Sequence, residues 1–288
     1  MLRRLAAFLA ITIGLGLAGN PVPAENAQPA TPALSLAYKF APGETIRYRI
    51  SQRLTGTRTL PGATTPTPID ADLSTVIRIR CVQILSTGAA ELAIDTESGS
   101  LKLAGKPASS YQPPKEVRTV YVTPTGRVAP RKEQSSQPGP RRPMLDFGAI
   151  ESVVLIAILP DQPVAVGGVW DAEIPLPVDV STKLKLSFRL DNVKQTSSGL
   201  AAEIKQSLST PISPDSPAGP AQLRGSQEGQ ADLLFSIDGG KLLSAQGSIR
   251  STVVTPIQMP GIPGSNAGPQ DNLSRVALDC TFKAELLR

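Results

Sequence analysis

Residues 164–176 read V-A-V-G-G-V-W-D-A-E-I-P-L, a glycine pair followed by an alternating stretch that carries the only tryptophan, Trp170. A glycine turn that leads into apolar–polar alternation is the pattern of a half-buried strand entered from a tight turn. The same pattern stands earlier at residues 42–50, P-G-E-T-I-R-Y-R-I, where Ile46, Tyr48 and Ile50 share one face and Arg47 and Arg49 the other. The segments downstream of the two starts are also alike. Two strand patterns flank Ser86-Thr87-Gly88 in the first case and Ser197-Ser198-Gly199 in the second. In each leading strand the apolar alternation steps by three, from Ile79 to Val82 and from Leu190 to Val193. A period of two changes parity only through an extra residue, so a β-bulge is expected near Arg80-Cys81. A later hairpin around Pro124-Thr125-Gly126 is answered by one around Gly239-Gly240, and the chain reads as an internal duplication.

The expected fold is therefore all-β: an antiparallel twisted sheet or half-barrel built from two similar β halves, with one short helix. Working outward along the chain, residues 1–24 read as a signal peptide, 25–131 as an N-terminal β half, 132–146 as a linker, and 147–288 as the helix plus a C-terminal β half. Leu34, Leu36, Tyr38 and Phe40 alternate as a strand would, and residues 53–72, 106–116, 208–229 and 255–272 read as loops rich in Pro, Gly, Ser and Thr. Ile150, Val153, Val154, Ala157 and Ile158 fit the i, i+3, i+4, i+7, i+8 helix template, with Asp146 as cap and Pro160 as stop. The same run is rich in β-branched residues, and a buried strand is the competing reading.

The leader sets the expected compartment. Arg3 and Arg4 precede an apolar run at residues 5–18, and Val22-Pro23-Ala24 offers a cleavage site. The run is too short and too broken by glycine for a membrane-spanning helix, which needs about 20 apolar residues. Asn20 stands where a lipid-bearing cysteine would follow Leu17-Ala18-Gly19. The expectation is an exported, soluble protein, periplasmic or extracellular, with no transmembrane segment in its mature chain. The formal net charge is +5, of which Arg3 and Arg4 carry two. The remainder is too slight, and too mixed with acids, for a nucleic-acid partner. Arg131-Lys132 and Arg141-Arg142 lie in a Pro/Gly/Ser stretch and read as a solvated loop.

The chain has two cysteines, Cys81 and Cys280. In an exported protein they form a candidate disulfide, or else two separate buried thiols; spacing alone leaves both open.

The chemistry of reactive side chains is sparse. The sequence has no histidine, which excludes Ser-His-Asp and Cys-His nucleophiles and the H-E-x-x-H zinc site. The only G-x-G-x-x-G, at residues 14–19, lies in the leader. Asp171 with Glu173, and Asp70 with Asp72, are carboxylate pairs, but the aromatics mostly occupy apolar strand faces and offer no sugar-stacking surface beside them. They read as solvent-facing charges or turn formers. No catalytic residue, metal ligand or cofactor site is assigned, and the protein is expected not to be an enzyme.

From residue 37, A-Y-K-F-A-P-G-E-T-I-R-Y-R-I, together with L-P-D-Q-P-V-A-V-G-G-V-W at residues 159–170, resembles a family of exported bacterial proteins that share a domain of unknown function. There a strand beginning "PGE" or "PGD" opens the domain, and an "LP…PV.VG..W" motif opens its second half. The resemblance implies a fold and no activity. The function expected is a non-catalytic exported β protein holding an apolar ligand or lipid in a concave sheet, with Ile150, Val153, Val154 and Ile158 as the candidate lining. The alternative is a structural or protein-interaction module of the cell envelope, with an envelope protein as partner and its function on the loops.

Overall fold

The computed structural model describes residues 32–111, 117–129, 157–176, 179–212, 224–256 and 273–287. Among them the protein is a single antiparallel sheet of twelve strands. The first six are β1 (Thr45–Thr59), β2 (Thr67–Ile84), β3 (Ala90–Leu103), β4 (Ser109–Tyr111), β5 (Arg118–Val122) and β6 (Val128–Ala129). The second six are β7 (Val169–Leu176), β8 (Asp179–Thr196), β9 (Gly199–Ile212), β10 (Arg224–Ser236), β11 (Lys241–Pro256) and β12 (Leu273–Leu287). The order across the sheet is β6-β5-β3-β2-β1-β12-β11-β10-β9-β8-β7, with β4 on the side of β3. Each half is a meander, and the two join edge to edge where β1 meets β12. The sheet is open and curled.

The two starts seen in the sequence are the same local structure. In residues 41–44 the Glu44 N–H donates to the Ala41 carbonyl (3.0 Å), and in residues 165–168 Gly168 donates to Ala165 (2.9 Å). Gly43 and Gly167 take the left-handed third position of these turns, at φ 82° and 86°. Each turn is then tied to its neighbouring strand by one reciprocal pair of backbone bonds. Gly43 donates to Cys81 and Cys81 to Glu44 (2.8 and 2.9 Å); Gly167 donates to Leu190 and Leu190 to Gly168 (2.7 and 3.0 Å). Just beyond these anchors the β2–β3 register shifts between Cys81 and Gln83, and the β8–β9 register between Leu190 and Asn192. The extra residues are Val82 and Asp191. The parity breaks in the sequence are these two bulges.

Several expectations are corrected. Residues 53–72 are not a long loop: β1 runs to Thr59 and β2 begins at Thr67. Their Thr-rich composition suits a strand, and Arg53 pairs across the ladder with Asp70 and Asp72 (2.8 and 2.9 Å). Likewise 208–212 and 224–229 extend β9 and β10. Leu34 to Phe40 is not a sheet strand; it makes one isolated bridge, Leu34 with Val164. Of the helix expected over 147–159, residues 147–156 lie outside the described residues, and 157–159 are neither helix nor strand.

Those two non-strand segments close the curl. Tyr38 donates its N–H to Pro124 in the β5–β6 turn (2.7 Å), and Lys39 donates to Gly240 in the β10–β11 turn (3.1 Å). Leu159 donates to Thr125 (2.8 Å), Leu34 and Val164 exchange bonds of 2.8 and 2.9 Å, and Arg127 pairs with Asp161 (3.0 Å). Residues 34–40 and 157–164 thus span from the turns of one half to those of the other. Their apolar side chains, Leu36, Tyr38, Ile158 and Leu159, are buried in one core with Ile50, Ile77, Leu92, Leu190, Ile204, Phe235 and Leu242. Each such burial contributes roughly 1.5–3 kcal/mol.

Small inner positions let the strands approach and bend. A Cβ on Gly247 would stand 2.2 Å from the Gln230 carbonyl oxygen, whereas one on Gly167 meets nothing within 4 Å. Gly167→Ala should therefore lower the unfolding free energy by about 1–2 kcal/mol, the conformational cost alone. Gly247→Ala has no left-handed conformation to strain and should lose about 1–3 kcal/mol to the clash alone, because backbone must move. Urea denaturation of the two variants checks both losses.

Candidate functional site on the inner face of the sheet

One face of every strand points into the curl, and the register lines its residues up in rows. Toward the closed end runs Thr75–Ile50–Ala284–Ala245–Leu233–Ile204–Leu190 across β2, β1, β12, β11, β10, β9 and β8. All seven are buried. Two residues along, the row is Leu101–Leu73–Gln52–Phe282–Gly247–Ala231–Gln206–Phe188–Trp170, and polar amides enter it. Beyond lies a small separate cluster of Leu54, Ala71 and Cys280, with Leu101 against it. Further toward the open end the apolar inner residues of β2, β1, β12 and β11 lose cover, while β11, β10 and β9 set polar Ser251, Gln227 and Thr210 in the row of Leu278. Ile69, Val253, Val276 and Leu278 are half-buried there, as are Ile249 in the row of Cys280 and Leu73 and Leu101 in the row of Gln52, and Leu103, opposite Ala71, is 41% exposed. The closed half is a packed core and the open half an apolar surface that the described residues only partly cover.

The boundary is built by identifiable contacts. Trp170 stacks on Phe188 with ring centroids 5.5 Å apart, and its Nε1–H donates to the Ile158 carbonyl (2.8 Å). Tyr48 reaches across the sheet to donate its hydroxyl to the Leu242 carbonyl (2.8 Å). Burial pushes both Tyr38 and Tyr48 well above the usual tyrosine range; neighbouring Tyr48 adds to the first and Glu44 to the second. Thr210 uses its hydroxyl oxygen to accept the Lys185 N–H (2.8 Å). Among the described residues two buried side-chain oxygens find no hydrogen-bond partner, the Tyr38 hydroxyl and Gln52 Oε1. The first lies near the Ala157 backbone without normal hydrogen-bond geometry.

Of the lining expected from the sequence, Ile150, Val153 and Val154 lie outside the described residues. Ile158 is buried in the closed core rather than on the open surface. The carboxylate pairs fall on the outer face. Asp171 accepts from Ser187, and Glu173 is held below its ordinary pKa by a hydrogen bond from Lys183 (2.8 Å). Other charges on that face are paired in the same manner, as in Arg78 with Asp95, Lys205 with Asp232 and Arg250 with Asp279. Among the described residues, no three His, Cys, Asp or Glu side chains gather as metal ligands would. No described helix is long and apolar enough to cross a membrane. Sequence reading missed Gln52, although it stands on the apolar side of the alternation Ile46, Tyr48, Ile50, Leu54. That break in pattern was the available signal.

The candidate disulfide is not formed: both thiols are free and buried. Cys280 faces Leu54, which faces Ala71; Cys81 lies ten residues further along β2, about 30 Å away at strand rise. A bridge requires Cα atoms within about 7 Å. Burial pushes the Cys280 thiol up to about 11. An unfolded thiol loses its proton near pH 8.5, so this contribution to stability is intact below that pH and lost as pH rises to 11. Two results are expected. Oxidised protein should show two thiols on unfolding and no change in non-reducing mobility. Cys280→Ala should reduce the alkaline loss of stability measured by denaturation between pH 8 and 11, the remainder coming from Cys81, Tyr38 and Tyr48, whose pKa values burial also raises.

No family model matches the chain, and no curated protein matches it in sequence. Among solved structures it is similar to one titled "Lipid-protein interactions in lipovitellin", at 10% identity and a TM-score of 0.39, over 87% of this chain and 26% of that one. It is also similar to a LolA superfamily protein from Nitrosomonas europaea, at 7% identity and a TM-score of 0.12, over 86% and 89% of the two chains. The chain thus spans about a quarter of the lipovitellin chain. Likenesses this distant assign neither fold in detail nor function.

Proposed function

We propose that this is an exported binding protein that holds an apolar ligand of lipid type against the inner face of its curled sheet, in the open half. The observation that carries the reading is the patch of half-buried apolar residues spread over three rows of β3, β2 and β12, Leu101, Leu73, Ile69, Leu278 and Val276, continuous with a sealed core but not sealed itself. Apolar surface left in water on the inside of a curve is where an acyl chain gains most, about 0.8 kcal/mol per buried methylene. The protein holds its ligand rather than transforming it: the sequence has no histidine, and the carboxylates Asp171 and Glu173 point to the outer, solvated face.

Protein purified from its host should carry lipid detectable by native mass spectrometry. After delipidation, adding the extracted lipid at about a hundred times its Kd should stabilise the fold by about 2.7 kcal/mol, a rise in Tm of roughly 5–10 °C given about 2–4 °C per kcal/mol at this size. Absence of co-purifying lipid together with an unmoved Tm would overturn the reading. Leu278→Lys, which places a charge on the open surface, should abolish the shift while leaving the closed core folded.

A further inference from the structure

We infer that the ligand carries a hydrogen-bond-donating head, a hydroxyl or amide N–H, and that Gln52 Oε1 receives it; this rests on the binding reading above. Gln52 is 4% exposed, and its side-chain oxygen has no partner among the described residues. A buried carbonyl oxygen left unmet is costly enough that folded proteins rarely retain one without a use. Its position gives that use. Gln52 sits on the inner face of β1 opposite Leu73 on one side and Phe282 on the other. One step toward the open end is the Leu54, Ala71, Cys280 cluster. An acyl chain lying along the open half reaches the packed core at this row, so its head meets Gln52 and its tail extends toward Leu278 and Val276.

The acceptor character of the oxygen selects the chemistry. An ionised carboxylate or an ester offers only acceptors and leaves Oε1 unmet, whereas an alcohol or a primary amide satisfies it. Among the described strand residues the cations on the same face are Arg58, exposed at the rim six residues away, about 20 Å at strand rise, and Arg118 on β5, opposite Ile94 and three strands from Gln52. An anionic head would therefore sit at the rim, far from Gln52.

The test uses the delipidated full chain and three probes of equal length: 1-dodecanol, undecyl methyl ether and laurate at pH 8, each displacing a fluorescent apolar dye. The expected result is dodecanol binding about tenfold tighter than the ether, the effect of one buried hydrogen bond. In Gln52→Leu and Gln52→Met that preference should disappear while the ether binds at least as well as before. Without ligand both variants should melt no lower than the wild type, because the unmet oxygen is gone. Equal affinity for alcohol and ether in the wild type overturns the inference and leaves the binding reading standing. Laurate binding tightest, and weakened by Arg58→Ala, overturns it too, by placing the head at the rim. A lower melting temperature in both variants shows that the protein itself uses Gln52, and also overturns it. Binding of none of the three probes removes the binding reading, and the inference with it.

Discussion

The way one end of a very wide sheet is tied shut governs this fold. Eleven antiparallel strands in a row, with β4 beside β3, have two free edges and one face that must be buried, and no second described layer buries it. The solution is to curl the sheet and thread two extended segments across the mouth at one end. Residues 34–40 reach the turns of both halves through Tyr38 and Lys39, and residues 157–164 reach Thr125 and Leu34. These backbone bonds are few, but they sit over the buried side chains Leu36, Tyr38 and Leu159. Polar groups shut off from water have to be paired, and this pairing sets the two meanders in register across the opening.

That closure makes the two ends of the inner face unlike. Near the tied end, the long strands contribute side chains that are buried in one core with those of the crossing segments. Away from it the strands continue for several residues with no crossing segment among the described residues. The pattern of apolar residues persists there, as at Leu73, Leu278 and Val276, while their cover falls away. The difference between the sealed core and the half-covered apolar surface in this protein is a matter of distance from the tie. Gln52 stands at the change from one to the other.

The short motifs quoted from the sequence are parts of this closure. Pro42-Gly43-Glu44 and Val166-Gly167-Gly168 are turns whose middle glycine, Gly43 or Gly167, takes a positive φ, which an L side chain adopts only at a cost. Leu159 packs in the core, Val164 bridges to Leu34, and Trp170 hangs its indole N–H on the Ile158 carbonyl. Their chemistry is conformational and steric. A motif of this kind announces an architecture and is silent about ligands.

Strand period, turn glycines and the two parity breaks are local properties, and all three were legible along the chain. Alternation is fixed by the pleat, a left-handed turn position by the absence of Cβ, and a bulge by an odd step in an even pattern. The Thr-rich arms of β1 and β2 escaped because their stabilisation comes from cross-strand partners such as Arg53 with Asp70, seventeen residues apart in sequence. Which part of the inner face is sealed and which left open emerged only in three dimensions, since it depends on where residues 34–40 and 157–164 cross. The same holds for the separation of Cys81 from Cys280, and for the burial of Gln52 without a partner. Each of these is a relation between distant residues, and nothing in a residue's own neighbourhood along the chain encodes it.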